Sequence, residues 1–339
     1  MPAADVFPLR GLVPRALRGA AARALGRYGG VQIRRRLAAL AAGGRPILAG
    51  PWLGEVGFEL LYWAPFLRWF AAEFDVAPER MTVLSRGGTW SWYGPAAGRY
   101  LDVFDYVSPE VFRQWHEARL REGGEQKQTR IARPEQELLD TAMKGMPGGA
   151  GILHPSVMYE LLNPFWWRHL DETWVHRHTA YRRLDRPERM AGLELPERYV
   201  AAKFYFNDCF PATERNRAFV RGLVGRLARE GPVVSISSGV ALDDHGACAV
   251  TAQGVLDVAG ATPPARNLHV QSAIVAHATA FVGTYGGFAY LAPFYGVPSA
   301  SYYGDAGGFA PSHLRMARSA LASIGAAGLL HVHPVPDES

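Results

Sequence analysis

Short apolar runs separated by longer amphipathic stretches recur along this chain, and that alternation predicts strands joined through helices. Residues 46–49 read as a first strand and residues 50–57 as a glycine-rich loop. Residues 58–74 then form a helix with a large aromatic face and a kink allowed at Pro65. A second strand at 81–88 runs into the aromatic stretch WSWYG, and a third covers 100–108. From 108 to about 196 the pattern turns helical, charged and irregular, and 119–133 is polar enough for a mobile loop. Strand and helix alternate again at 199–206, 216–229 and 232–237. Residues 281–304, FVGTYGGFAYLAPFYGVPSASYYG, predict a buried strand, a turn of small residues, a helix from about 288 to 294, a Gly-Val-Pro break and another strand. This is the pattern of α/β domains of the doubly wound type, whose ligands gather at the carboxyl ends of the strands. The predicted division is an arm at 1–44, an α/β domain with a helical insertion at 45–196 and a second α/β domain at 197–339.

Composition fits that division. A chain of 339 residues that is 48% hydrophobic has enough apolar content for two cores. Its charge is uneven: residues 1–45 hold nine arginines and one acid, Asp5, a balance of +8, which leaves −3 for the other 294 residues of a chain whose net charge is +5. A nucleic-acid partner is therefore not expected. In the arm, Val13, Leu17, Ala20, Ala21, Ala24, Leu25 and Tyr28 recur at helical spacing, with Arg15, Arg18, Arg23 and Arg27 opposite them. Two readings of this basic helix stand side by side: it lies on an anionic membrane surface, or it docks its apolar face on the body and points arginines at water. A targeting peptide is a weaker reading, for want of an apolar h-region or a clear cleavage site. Residues 267–304 contain no Asp, Glu, Lys or Arg, yet His269, Gln271, His277, the glycines and two prolines break them at βαβ intervals, as a sheet interior does and a membrane span does not. Two cysteines, Cys209 and Cys248, provide no disulfide framework or multi-cysteine metal site and suggest a reducing compartment, although a single bridge between them stays open. Together these features predict a cytoplasmic protein, peripheral on the inner face of a membrane if the arm binds there.

Candidate chemistry collects at the predicted strand ends. Gly286 and Gly287 can take positive φ and let a ligand approach the backbone, and the amides after them form a positive helix end suited to phosphate. A glycine at a strand-to-helix turn is also ordinary βαβ punctuation. Glu55 and Glu59, in or just after the first loop, suit a general base acting on a sugar hydroxyl, while an acid there also compensates a helix N-terminus. Gly57, Arg86, Trp90 and Trp92 fall at the same edge and are the candidate acceptor-binding residues, although tryptophans there either stack on a sugar or simply pack a core. Lys203, Asn207 and Asp208 follow one strand and Ser237, Ser238 and Gly239 another, placed to offset or bind a diphosphate. His176 and His178 lack a third ligand nearby and read as polar or acceptor-facing residues; Asp243, Asp244 and His245 read as a solvated turn.

This arrangement resembles GT-B glycosyltransferases, most closely the heptosyltransferase-like group and its fucosyltransferase-type relatives. In that group an acidic base lies about six residues before a helix proline, as Glu59 does before Pro65, with Gly57 just ahead. The group's strand, small-residue turn and helix ending in Gly-Val-Pro is similar to FVGTYGGFAYLAPFYGVP. The chain departs from the group at Thr284-Tyr285-Gly286, where Asp-Ser/Thr-Gly is usual, and at Lys203 and Tyr205, where a His-x-Arg motif stands in fucosyltransferase-type enzymes. The resemblance covers roughly 46–107 and 198–304 and implies two Rossmann-like domains facing a central cleft, with Glu59, or Glu55, as base, and Thr284, Tyr285, Gly286, Gly287 and Phe288 as the donor-phosphate loop. Implied with it is transfer of a sugar from a nucleotide-sugar to a hydroxyl acceptor (a glycan, a lipid-linked sugar or a small molecule) in polysaccharide or glycolipid assembly. The expected reaction is inverting and needs no cofactor or metal, because amides and lysine can neutralise the leaving diphosphate. The alternatives are a non-catalytic nucleotide-sugar or glycan binder at a membrane surface and another transferase of similar fold, pyruvyl or glycerophosphate.

Overall fold

The computed structural model describes residues 18–121, 128–146, 148–190, 192–236, 246–248, 252–258, 263–309 and 311–336. Helix α1 (Arg18–Ala42) leads into strand β1 (Ile47–Ala49). Short helix α2 (Val56–Phe58) continues through a π turn (Glu59–Trp63) into α3 (Ala64–Glu73). Strands β2 (Met81–Ser85) and β3 (Arg99–Asp102) follow, then helices α4 (Pro109–Arg121) and α5 (Arg133–Met143) and strand β4 (Gly151–Leu153). These four strands form one wholly parallel sheet in the order β3-β2-β1-β4. Helices α6 (Pro155–Trp166) and α7 (Glu172–His176) lead towards the second half.

That half contains β5 (Val200–Lys203), β6 (Tyr205–Phe206), α8 (Glu214–Glu230), β7 (Val233–Ser235), β8 (Gly246–Ala247) and β9 (Val255–Asp257). It continues with α9 (Asn267–His277), β10 (Ala280–Thr284), α10 (Gly287–Phe294), β11 (Ser299–Tyr303), α11 (Pro311–Ser323) and β12 (Leu330–Pro334). A second parallel sheet runs β12-β11-β10-β5-β7-β9, beside a small antiparallel ribbon of β6 and β8. The result is two α/β domains with parallel sheets facing one another, as the alternating pattern predicts.

Three expectations change. The stretch after 108 is not all helical, because Gly151–Leu153 pairs in parallel with β1. Three residues are too few to show a strand period. Strand β3 ends at Asp102, well short of 108, because the Asp102 carboxylate accepts the Phe104 amide at 2.9 Å and starts a 3-10 turn. Helix α1 docks on the body, but not through the expected face. Ala22, Ile33, Leu37 and Ala41 are buried, whereas Leu25 and Tyr28 are 53% and 64% exposed. Small residues select the docking side: a methyl at Gly26 would lie 2.9 Å from Pro164, and one at Gly30 2.8 Å from Trp174. Val13, Arg15 and Leu17 lie outside the described residues.

One apolar cluster runs through both domains and holds them together. Its contact is reinforced by polar groups: the Trp92 indole donates to Ser272 Oγ and Tyr295 Oη, both at 3.2 Å. The His269 amide donates to the Gly87 carbonyl at 2.8 Å, and the Leu184 amide to the Phe294 carbonyl at 3.0 Å. Where α2 meets α10, a methyl group on Gly287 would stand 2.6 Å from the Gly57 nitrogen and 2.9 Å from Val56 Cβ. Only hydrogen fits between these two helix starts. Gly287→Ala is therefore expected to lower unfolding stability by about 1–3 kcal/mol, the usual cost of overpacking. Denaturant unfolding measures it, and an unchanged midpoint would show that the domains are not held at this contact.

Candidate active site

The first loop and the helix after it are shaped around a buried carboxyl. The Ala64 amide reaches back to the Glu59 carbonyl, five residues away, and so makes the π turn. Pro65 has no N–H for the Leu61 carbonyl, which instead accepts the Tyr181 hydroxyl at 2.7 Å. All five side chains of the turn are buried, Glu59 completely.

Glu59 Oε1 collects three hydroxyl donors: Ser85 at 2.7 Å from the end of β2, Thr89 at 3.1 Å, and Tyr93. Oε2 is buried and has no hydrogen-bond partner. Burial raises the carboxyl pKa from 4.5 to about 7; the Tyr93 and Ser85 hydroxyls, the charge of Arg86 and the Thr89 hydroxyl pull the other way. Glu55, at the start of α2, is only partly buried. The two acids that the sequence leaves equivalent thus differ sharply in environment.

The other expected acceptor residues are placed differently from one another. Arg86 is buried, donates to the Gly54 carbonyl at 2.8 Å and stacks 5.7 Å from the Phe112 ring centre, so it pins the loop ahead of α2. Trp92 is buried in the domain contact, while Trp90 is 42% exposed. Gly57 faces Gly287. Gln128, in the stretch expected to be mobile, is buried: its amide accepts from Leu53 N at 2.9 Å and donates to the Pro51 carbonyl at 2.8 Å and to Glu135 at 2.9 Å. It braces the loop from beneath. Its signal in the sequence was nil, since a glutamine in a charged stretch looks solvated.

On the donor side, Lys203 Nζ donates to Gln271 Oε1 at 2.7 Å and lies 4.5 Å from the Phe288 ring centre. Thr284 is fully buried, and its hydroxyl bridges the Tyr205 backbone, donating to the carbonyl at 2.8 Å and accepting the amide at 3.0 Å. It is committed to joining β10 and β6. Tyr285 is buried, with its ring 4.9 Å from Phe309. Gly286 has a φ of 159°, a backbone region that side chains rarely adopt, and any side chain there would also overlap the Tyr205 hydroxyl. Positive φ together with close approach explains Gly286, and close approach alone explains Gly287. No side chain caps the N-terminus of α10. Asn207 closes its own turn by accepting the Phe210 amide at 2.9 Å, and Asp208 is exposed. Ser237, Ser238 and Gly239, with Asp243, Asp244 and His245, lie outside the described residues. The structure therefore brings Lys203, Phe288 and the start of α10 together and turns Thr284 and Asn207 inward.

Cys209 and Cys248 are free thiols. His178 is buried and bonds the Trp174 carbonyl at 2.8 Å, and His176 bonds Ser319 at 2.7 Å; burial lowers both ring pKa values. Both serve packing between elements. Among the described residues no group of three or more His, Cys, Asp or Glu side chains is placed to hold a metal ion, and no helix is long and apolar enough to cross a membrane.

No protein-family model matches the chain, and a search of curated proteins finds no significant match. Among solved structures it is similar to E. coli ADP-heptose lps heptosyltransferase II, at 15% identity and a TM-score of 0.44, over 87% of this chain and 91% of that one. It is also similar to a glycosyl transferase family 9 protein from Veillonella parvula, at 12% identity and a TM-score of 0.42, over 86% and 85% of the two chains. The UDP-GlcNAc 2-epimerase of Methanocaldococcus jannaschii matches at 7% identity and a TM-score of 0.32, over 76% and 82%.

The environment of Glu59 has a consequence for stability. Its folded pKa, about 7, lies above the ordinary 4.5, so the contribution from its neutral form is complete below 4.5 and is lost as pH rises through about 7. At about 1.4 kcal/mol per unit the loss is on the order of 3 kcal/mol. Glu59→Gln, which cannot ionise, is expected to gain stability over the parent by that amount between about pH 4.5 and about pH 8. Unfolding measured across that range tests it; a difference that does not change with pH would contradict a buried neutral carboxyl.

Proposed function

We propose that this chain is a glycosyltransferase that moves a sugar from a nucleotide-sugar donor to a hydroxyl acceptor, with inversion and without a metal, in glycan or glycolipid assembly. The observation that carries the reading is Glu59 Oε2: a buried carboxyl oxygen without a donor, on a group whose pKa is raised to about 7, in the helix that follows the first strand. A perturbed carboxyl at the carboxyl edge of a parallel sheet is suited to general-base work near neutral pH. In the proposed step Glu59 accepts the acceptor's hydroxyl proton. The acceptor oxygen bonds to the anomeric carbon, and the bond from that carbon to the diphosphate oxygen breaks, its electron pair leaving with the nucleoside diphosphate. Lys203 and the amides at the start of α10 face the charge that develops there. For the acceptor to reach Oε2, the domains part at the Gly57–Gly287 contact, and in this reading the exposed ring of Trp90 stacks on the sugar.

Complete burial of Glu59 also suits a purely structural carboxyl, and a nucleotide-sugar or glycan binder without transfer is the second reading. One experiment separates the two. The purified protein is incubated with UDP-, GDP-, ADP-, CDP- and dTDP-sugars together with a panel of sugar and glycolipid hydroxyl acceptors, and release of nucleoside diphosphate is followed. Glu59→Gln is expected to reduce turnover of the accepted donor by about 10²–10⁴-fold, the usual contribution of a general base. Glu55→Gln is expected to change it by only a few fold. Turnover that survives Glu59→Gln would remove Glu59 from the mechanism, and absence of turnover with every donor would favour the binder.

A further inference from the structure

A cavity of about 660 Å³ opens where α1, the α6–α7 connection and α11 meet, and five arginines line it: Arg23, Arg27, Arg168, Arg177 and Arg315. Only two acids stand among its lining side chains. Asp171 caps α7 by accepting the Thr173 amide at 3.0 Å, and Glu172 pairs with Arg315 at 3.2 Å. Neither Arg23, Arg27, Arg168 nor Arg177 forms an ion pair with a described acid. These guanidinium groups are exposed around one concavity, and guanidinium forks match phosphate oxygens in pairs.

A second observation is independent of charge. Arg168 follows the C-terminus of α6 with φ of 58°, a left-handed conformation. The amide of His169 closes that helix end onto the Pro164 carbonyl at 2.9 Å. Glycine is the residue this position favours, since an arginine there carries the steric cost of its Cβ. A strained residue kept where glycine would be easier points to a use for its side chain, and here that side chain lines the basic cavity.

We infer that this basin is a binding site for a phosphate-bearing ligand, a phosphomonoester or diphosphate carried on a sugar or a lipid. Phe165 and Trp166 supply an apolar wall for the attached group, and the volume exceeds what phosphate alone needs. Glu59 does not line the basin. Phe58, its neighbour in sequence, packs against the rim, 5.7 Å from Trp166 and 4.9 Å from His313 between ring centres. The site thus stands beside the candidate active site and does not depend on any reaction there.

Binding of inorganic pyrophosphate by calorimetry, together with the thermal midpoint of each protein, tests the inference. Arg168→Gly is expected to weaken pyrophosphate binding at least tenfold while leaving the midpoint unchanged or higher, because the backbone strain is relieved. Arg23→Gln with Arg27→Gln is expected to weaken binding similarly. A second arm uses vesicles of phosphatidylcholine with and without phosphatidic acid. Retention only by the acidic vesicles, reversed by pyrophosphate, identifies a lipid headgroup; pyrophosphate binding without vesicle retention identifies a soluble phosphate ester. Undetectable pyrophosphate binding to the parent protein, or parental affinity in Arg168→Gly, would overturn the site.

Discussion

Two helices meet start to start, with room for hydrogen alone between Gly57 and Gly287, and much of the molecule follows from that approach. Each helix begins just beyond the central region of its own parallel sheet, so bringing them together brings the carboxyl edges of both sheets together. The indole of Trp92, the amide of His269 and the apolar cluster shared by the two domains all lie along the same seam. The π turn that carries Glu59 continues directly from α2, and all five of its side chains are buried.

Glu59 illustrates how local chemistry and long-range packing combine. Ser85, Thr89 and Tyr93 satisfy one oxygen, and these donors come from a strand end and the turn that follows it. The other oxygen is left without a donor in a place where such an omission is costly. Pro65 adds a further constraint by freeing the Leu61 carbonyl, which Tyr181 then occupies from a distant part of the chain. The segment around 180 therefore clamps the helix that carries the carboxyl.

Most of the framework was legible in the sequence because buried parallel strands leave apolar runs that survive inspection. The runs at 46–49 and 281–284 fall on β1 and β10, and the glycine turn before Phe288 does start a helix. Features that depend on distant partners were not legible. The first half of helix α1 docks through Ala22, Gly26 and Gly30 because Pro164 and Trp174 oppose it, so Leu25 and Tyr28 stay outside while Ile33 and Leu37 further on are buried. Gln128 and Thr284 are polar residues whose partners are remote in sequence, which hid the brace formed by one and the strand junction formed by the other. Glu55 and Glu59, four residues apart, differ only once the fold has buried one of them.

The proposed chemistry turns on the protonation state of one carboxyl. Difference infrared spectroscopy of the parent protein and Glu59→Gln, recorded as a function of pH, reads it directly from the carboxylic-acid carbonyl stretch. A protonated band assigned to Glu59 that persists through mild acidity and titrates away near about 7 is the predicted result. A Glu59 already ionised at about pH 5, as an ordinary solvated carboxylate would be, would contradict it.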